Sequence, residues 1–138
     1  MHIVVDPELK AEDAAAIGAA LRAFNIDRTQ YTGPHGEIGV LLKTDDGVTE
    51  GGLTANYAYG WMFVELLFVP EAARGQDLGT RLMAEAEKIA RDKGLIGIWL
   101  DTFSFQAPGF YQKLGFVPFG QLDGYPGGQS RHFLKKLL

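Results

Sequence analysis

The sequence predicts a mixed α/β fold, a sheet organised around one βαβ unit. Three observations carry the prediction. An amphipathic helical segment, Leu78 to Lys93, lies between two apolar runs, Trp61 to Val69 and Leu95 to Leu100. Upstream, Asp45-Asp46-Gly47 separates two strand-like segments, and Asp-Gly favours a tight hairpin turn. Downstream, the turn-rich Asp123-Gly124-Tyr125-Pro126-Gly127-Gly128 separates two more.

The elements follow in order. Residues 2–5 read as a short strand, with Asp6 placed to cap a helix and Pro7 at its first position. Leu9, Ala14, Ile17, Leu21 and Phe24 recur at helical spacing, so a helix is predicted that ends near Asn25. Residues 26–36, with Thr32-Gly33-Pro34-His35-Gly36, read as loop. Ile38–Thr44 and Val48–Tyr59 form the hairpin arms, and Gly51-Gly52 predicts a bulge or a weakened stretch in the second.

Trp61–Val69 is apolar apart from Glu65, which suits a central strand covered on both faces. In the helix after it, Leu78, Leu82, Met83, Ala86, Ile89 and Ala90 share one face, and Arg81, Glu85, Lys88 and Asp92 the other. Gly94 stops this helix. Leu95–Leu100 follows a strand and a crossover helix, so it should run parallel to Trp61–Val69. A short helix at Ala107–Leu114 ends at Gly115, and Phe116–Gln121 and Ser130–Leu137 complete the sheet.

Composition narrows the function. A chain of 138 residues and 15.1 kDa is predicted to form one domain, residues 1–138. Hydrophobic residues at 46% and charged residues at 22% indicate a globular chain rather than a disordered one. The absence of cysteine excludes a disulfide scaffold, a thiolate nucleophile and a cysteine-ligated metal. A net charge of −4 argues against a general nucleic-acid binder. The apolar N-terminal run stops at Asp6-Pro7, and the longest apolar stretch is far below spanning length. A cytoplasmic protein with neither a membrane nor a nucleic-acid partner is therefore expected. His2, His35 and His132 match no metal-ligand spacing, so no metal is expected.

The chemistry concentrates in Leu67-Phe68-Val69-Pro70-Glu71-Ala72-Ala73-Arg74-Gly75-Gln76-Asp77-Leu78-Gly79-Thr80. A buried strand leads through a glycine-bearing turn into a long helix. Amides at a helix start lack intrahelical acceptors, and the helix dipole is positive there. The arrangement suits a phosphate or pyrophosphate. It is not a P-loop, since no lysine precedes Thr80, nor a dinucleotide fingerprint, since only Gly75 and Gly79 are present. A plain strand–helix connection, with glycine for close packing, is the alternative.

Arg74-Gly75-x-x-Leu78-Gly79 resembles the acyl-CoA pyrophosphate loop of the GNAT superfamily of N-acetyltransferases. Ala107-x-x-Phe110-Tyr111-x-x-x-Gly115-Phe116 is similar to that superfamily's second motif. The resemblance covers residues 38–120 in element order and is sharpest over 64–117; residues 1–36 match loosely. It implies a mostly antiparallel sheet with a central parallel βαβ unit whose central strands splay apart. It also implies acetyl-CoA as co-substrate. The backbone of Leu67 and Val69 would hold the pantetheine arm. The loop Gly75, Gln76, Asp77, Gly79 and Thr80 would hold the pyrophosphate, with Arg74 adding charge. Asp77 departs from the pattern by replacing the loop's central glycine. Its carboxylate either caps the helix, pointing outward, or repels the ligand.

Acetyl transfer to an amine needs a base for the acceptor and an acid for the leaving thiolate. Tyr111 sits where the family places its acid; otherwise it is a helix tyrosine packed on the sheet. Glu65 is the one charge in a buried strand, so burial could raise its pKa and make it the base. Otherwise it is a cleft-edge carboxylate, paired or exposed by a bulge. Ser104 stands where the family has asparagine and would bond pantetheine or water, or cap the following helix. Asp101 is expected to orient that loop. Trp61 and Tyr125 are candidates for the acceptor-site wall.

The leading reading is an acetyl-CoA-dependent N-acetyltransferase working by direct transfer in a ternary complex, with a small-molecule or peptide amine as acceptor. The alternative is a non-catalytic acyl-CoA-binding, sensing or interaction module of the same fold. A third is an unrelated phosphate-ester binder using the same helix start. Residues 37–65 hold five acidic residues and one lysine, which fits a cationic acceptor or a solvated hairpin face. Residues 113–138 carry Lys113, Arg131, Lys135 and Lys136 against Asp123, which suits a ribose phosphate or a dimer partner. The family resemblance points to homodimers built through the C-terminal strands.

Overall fold

The computed structural model describes every residue from Met1 to Leu138. They form two compact units, Met1–Thr32 and Gly33–Leu138.

The first unit is built on helix α1, Ala11–Thr29. The strand expected at residues 2–5 does not form. Asp6 does not cap the helix; its Oδ1 accepts the Glu8 amide at 3.0 Å and closes a local turn. Lys10 takes the N-cap position. The helix also outruns its expected end at Asn25. Gln30 adopts a left-handed conformation (φ 52°), and its amide donates to the Ile26 carbonyl at 2.8 Å. Its side chain donates to the Asp27 carbonyl at 2.8 Å. Gln30 thus satisfies the last carbonyls, a task more often given to glycine.

The second unit is a six-stranded sheet in the order β1-β2-β3-β4-β6-β5. The strands are β1 (Gly36–Lys43), β2 (Thr49–Ala58), β3 (Trp61–Phe68), β4 (Gly97–Phe103), β5 (Val117–Tyr125) and β6 (Gln129–Leu137). Helix α2, Leu78–Asp92, crosses from β3 to β4, and α3, Pro108–Lys113, follows β4. The β3–β4 pair is parallel and every other pair antiparallel. This is the predicted fold class.

The core lies on one face of the sheet. Leu53, Met62, Ile98, Leu100 and Leu134 are fully buried there, together with Leu82, Met83, Ala86 and Ala90 of α2. Each large side chain buried in this way contributes about 1.5–3 kcal/mol. On the opposite face of β3 and β4, Phe63 and Trp99 stack with ring centroids 4.1 Å apart and are half-buried. Strand β3 therefore alternates in burial rather than being uniformly buried, as its apolar run had implied.

Strands β4 and β5 depart from the sequence pattern by two to four residues at an end. Strand β4 begins at Gly97, not Leu95; a Cβ at Gly97 would lie 2.6 Å from both the Lys136 carbonyl oxygen and the Trp61 ring. Strand β5 runs on to Tyr125, with a register shift between Leu122 and Tyr125 that takes in Gly124. Half of the stretch expected as turn is therefore strand, and Pro126–Gly128 makes the connection.

The ladder that positions the site is asymmetric. Strand β3 stays paired with β2 as far as Phe68, but with β4 only from Trp61 to Val64. Past Val64 and Leu100 the two central strands separate.

Candidate active site

Glu65 and Asp101 are the first residues beyond the last β3–β4 pair. Glu65 is also the extra residue of a bulge, since Ala55 pairs with Val64 and Thr54 with Leu66. A bulge re-aims the side chain it carries. Here it turns Glu65 outward, so the carboxylate is exposed and the burial expected from its apolar neighbours does not occur. Asn56, on β2, donates from Nδ2 to Glu65 Oε1 at 2.5 Å.

Beyond the bulge, Leu67 and Val69 pack against the core. The β4-facing backbone edge of Glu65–Phe68 has no strand beside it. The Val69 carbonyl accepts a hydrogen bond from Arg74 Nε at 3.2 Å. Arg74 thus folds back across the turn and braces it.

The turn opens α2 with free donors. Gly75 (φ 78°) and Asp77 (φ 57°) are left-handed. The first helical bond runs from the Arg81 amide to the Asp77 carbonyl at 3.0 Å, so the amides of Leu78, Gly79 and Thr80 lie ahead of the ladder. Gln76 and Thr80 are exposed. A Cβ at Gly79 would sit 3.2 Å from the Phe110 ring, so glycine lets α2 start against α3. Asp77 is exposed and its side chain makes no capping hydrogen bond. The capping role expected of it is not taken up.

On the β4 side, Tyr111 is buried in α3 between the rings of Phe110 and Phe116, at 5.0 and 6.0 Å. Burial pushes its phenol above 10, and the Asp101 carboxylate raises it further. Asp101 Oδ1 accepts from Arg131 Nε at 2.8 Å. That bond, with another to Tyr125, holds the guanidinium proton more firmly. The Tyr125 ring meets the edge of Phe103 at 4.9 Å, and the Arg131 guanidinium lies 5.5 Å above Phe103. Tyr111, Asp101, Arg131 and Tyr125 thus form one electrostatically linked group.

Sequence reasoning did not single out Arg131 for this group. It was one cation among four in the C-terminal segment, and only the pairing of Phe103 with Arg131 across β4 and β6 reveals its position. Asp101 orients Arg131 rather than the loop after β4.

Ser104 is committed elsewhere. Its Oγ donates to Gln129 Oε1 at 2.6 Å and accepts the Ser130 amide at 3.0 Å, tying the end of β4 to β6. Ala107, not Ser104, is the N-cap of α3. Trp61 pairs with Gly97 at the far end of β3 from Glu65. It lines a separate cavity of about 410 Å³ with Tyr59, Trp99, Phe119 and Lys135. The structure therefore brings Tyr125 near the opening but not Trp61. A second cavity, of about 520 Å³, includes Glu37, Thr54, Glu65 and Leu66 in its wall; the sequence marked Glu37 only as one of the five acidic residues in 37–65. His132 pairs locally with Ser130, Nε2 to Oγ at 2.9 Å.

A parallel pair that opens beside a glycine turn and a helix start is the arrangement that the sequence resemblance implied. Residues 11–116 match the Acetyltransferase (GNAT) family, and the chain belongs to that family. It is 37% identical over 136 residues to Acetyltransferase Atu2258 of Agrobacterium fabrum, covering 99% of this chain and 98% of that protein. It is 44% identical over 120 residues to the Blasticidin-S acetyltransferase of Streptomyces morookaense, covering 86% and 88%. A crystal structure of an acetyltransferase from Bacillus cereus superposes with a TM-score of 0.83 at 31% identity, covering 100% of both chains.

Proposed function

We propose that the chain is an acetyl-CoA-dependent N-acetyltransferase that passes the acetyl group directly, in a ternary complex, to an amine of a small cationic acceptor. The observation that carries this reading is the one-sided opening of the sheet after Val64 and Leu100. An unpaired strand edge accepts an extended amide chain such as pantetheine. The free amides from Leu78 to Thr80 stand at a helix start, which suits the pyrophosphate. The exposed Asp77 carboxylate opposes the ligand's charge, while its backbone amide remains compatible with it.

Acetyl-CoA would supply the activated thioester. Glu65, held by Asn56, would bind the acceptor's ammonium and take one proton from it, freeing the lone pair that attacks the thioester; the nitrogen's second proton would leave to water as the intermediate collapses and the thiolate departs. Tyr111 stays a neutral phenol because its pKa is raised, so it holds a proton for the departing thiolate. Positioning of the two reactants supplies most of the remaining acceleration. Relatedness to a protein named for acetylating blasticidin-S supports a small-molecule amine as acceptor.

A cytoplasmic location belongs to the same reading; no helix is long and apolar enough to cross a membrane. A homodimer through the C-terminal strands also belongs to it, supported by the exposed Val117, Phe119 and Leu122 on the edge strand β5. The second reading, an acyl-CoA-binding module without turnover, draws on the uncapped, left-handed Asp77.

Calorimetric titration with acetyl-CoA, with dephospho-CoA and ATP alongside, tests the cofactor. Saturable binding that requires the pantetheine arm is expected, and silence at millimolar ligand overturns the reading. An amine screen for released thiol then separates enzyme from binding module. Tyr111→Phe should lower the rate with acetyl-CoA binding intact.

A further inference from the structure

We propose that the cavity across β1, β2 and β3 is a second cation subsite, so that the acceptor is a dication. The amine to be acetylated lies at Glu65, and a further ammonium or guanidinium lies at Glu37. The assignment deepens the acetyltransfer reading and rests on it for the role of Glu65.

The cavity holds about 520 Å³, and its wall includes Glu37, Gly39, Thr54, Glu65 and Leu66. The sheet register assembles it. Glu37 pairs with Asn56 and Gly39 with Thr54, while Thr54 pairs with Leu66 beside the bulged Glu65. Side chains on one face of a sheet repeat every second residue, so Glu37, Gly39, Thr54 and Asn56 share a face. It is the face opposite Leu53 and Ala55, which enter the core.

The polar chemistry of the cavity is one-sided. Neither Glu37 nor Glu65 takes part in an ion pair. No lysine or arginine lines the space. The nearby amide donor of Asn56 is directed at Glu65 Oε1. Thr54 Oγ1 is buried and has no hydrogen-bond partner. A buried hydroxyl without a partner is costly, and a χ1 rotation that turned it toward a ligand N–H in this cavity would satisfy it. Two carboxylates and an orphaned oxygen call for a ligand rich in donors and positive charge.

The spacing sets the length of the ligand. Strands β1 and β3 are two strand separations apart, about 10 Å. A cation at each carboxylate therefore needs a spacer of several methylenes. The exposed Leu66 side chain, 66% accessible, offers that spacer an apolar wall. Gly39 puts no side chain into the gap between Glu37 and Thr54.

The test compares binding of 1,8-diaminooctane with octylamine to the full chain by calorimetry, in the wild type and in Glu37→Gln, Thr54→Val and Glu50→Gln. The diamine should bind roughly tenfold tighter than the monoamine, as a charge-assisted contact predicts. Glu37→Gln should bring the two amines together. Thr54→Val should narrow the gap, and Glu50→Gln, altering a β2 carboxylate outside the cavity, should preserve it. Equal affinities in the wild type, no measurable binding of either amine, or a preference that survives Glu37→Gln overturns the subsite. Thiol release from acetyl-CoA is followed in parallel. Diamine preference without any thiol release would sink the transfer reading and leave the subsite standing. Thiol release without diamine preference would do the reverse.

Discussion

Arg131 Nε donates to Asp101 Oδ1 at 2.8 Å, fastening β6 to β4 at the residue where β4 leaves β3. The bond also sets the charge felt by Tyr111, whose phenol is raised first by burial and then by Asp101. Arg131→Gln leaves the Asp101 charge unneutralised. Tyr111 should then ionise at still higher pH, read as the difference in phenolate absorbance between variants with and without Tyr111→Phe. Asp101→Asn should move the ionisation back toward 10 without reaching it, because burial remains. A weaker acid should also slow thiol release in Arg131→Gln, by about tenfold. An unchanged Tyr111 titration in both variants would break the proposed coupling.

Asp77 holds a left-handed conformation, φ 57° and ψ 21°, without a side-chain hydrogen bond to compensate. Such a conformation costs an L-residue about 1–2 kcal/mol, less for Asp, and glycine avoids that cost while giving up unfolded-chain stiffness. Asp77→Gly should therefore change stability by less than about 1 kcal/mol. Its larger effect should be on acetyl-CoA, since it removes a carboxylate from a run of free amides. Several-fold tighter binding at low salt, shrinking as salt screens the charge, is the expected calorimetric result. Unchanged affinity at every salt concentration would place the carboxylate out of range of the ligand.

Glu87 links α2 to the far end of β6. It accepts from Lys136 Nζ at 2.7 Å and from Arg91 at 2.8 Å. Burial pushes its carboxyl up, but the hydrogen bonds and charges of Lys136 and Arg91 together outweigh burial and hold it below the ordinary value of 4.5. A carboxylate lowered in the folded state stabilises fully above its unfolded pKa and loses that stabilisation as pH falls through the folded one. The melting temperature should be insensitive to this group near neutrality and fall as pH drops below 4.5. Glu87→Gln should lower stability at pH 7 by about 1 kcal/mol and flatten the acid limb. An acid limb as steep in Glu87→Gln as in the wild type would assign it to other carboxylates.

Much of this architecture is set by local sequence. The apolar stripe of α2, the Asp45-Asp46-Gly47 hairpin and the parallel crossover into β4 follow from periodicity, turn chemistry and the handedness of βαβ connections. The glycines and free amides at the start of α2 were legible for the same reason, because a helix start presents its donors whatever surrounds it. The end of α1 was not legible, since Gln30 performs a capping role that composition assigns to glycine. Nor was the exposure of Glu65, which depends on Thr54 pairing with Leu66 and Ala55 with Val64. A one-residue offset between strands leaves no mark on either strand alone. The same holds for Arg131 beside Asp101, 30 residues apart in the chain, and for Glu37 with Glu65, joined only through the register of β2. Local interactions fixed the elements and the glycine-bearing turn that opens α2. Strand register, a property of paired chains, decided where the central strands part and which charges meet there.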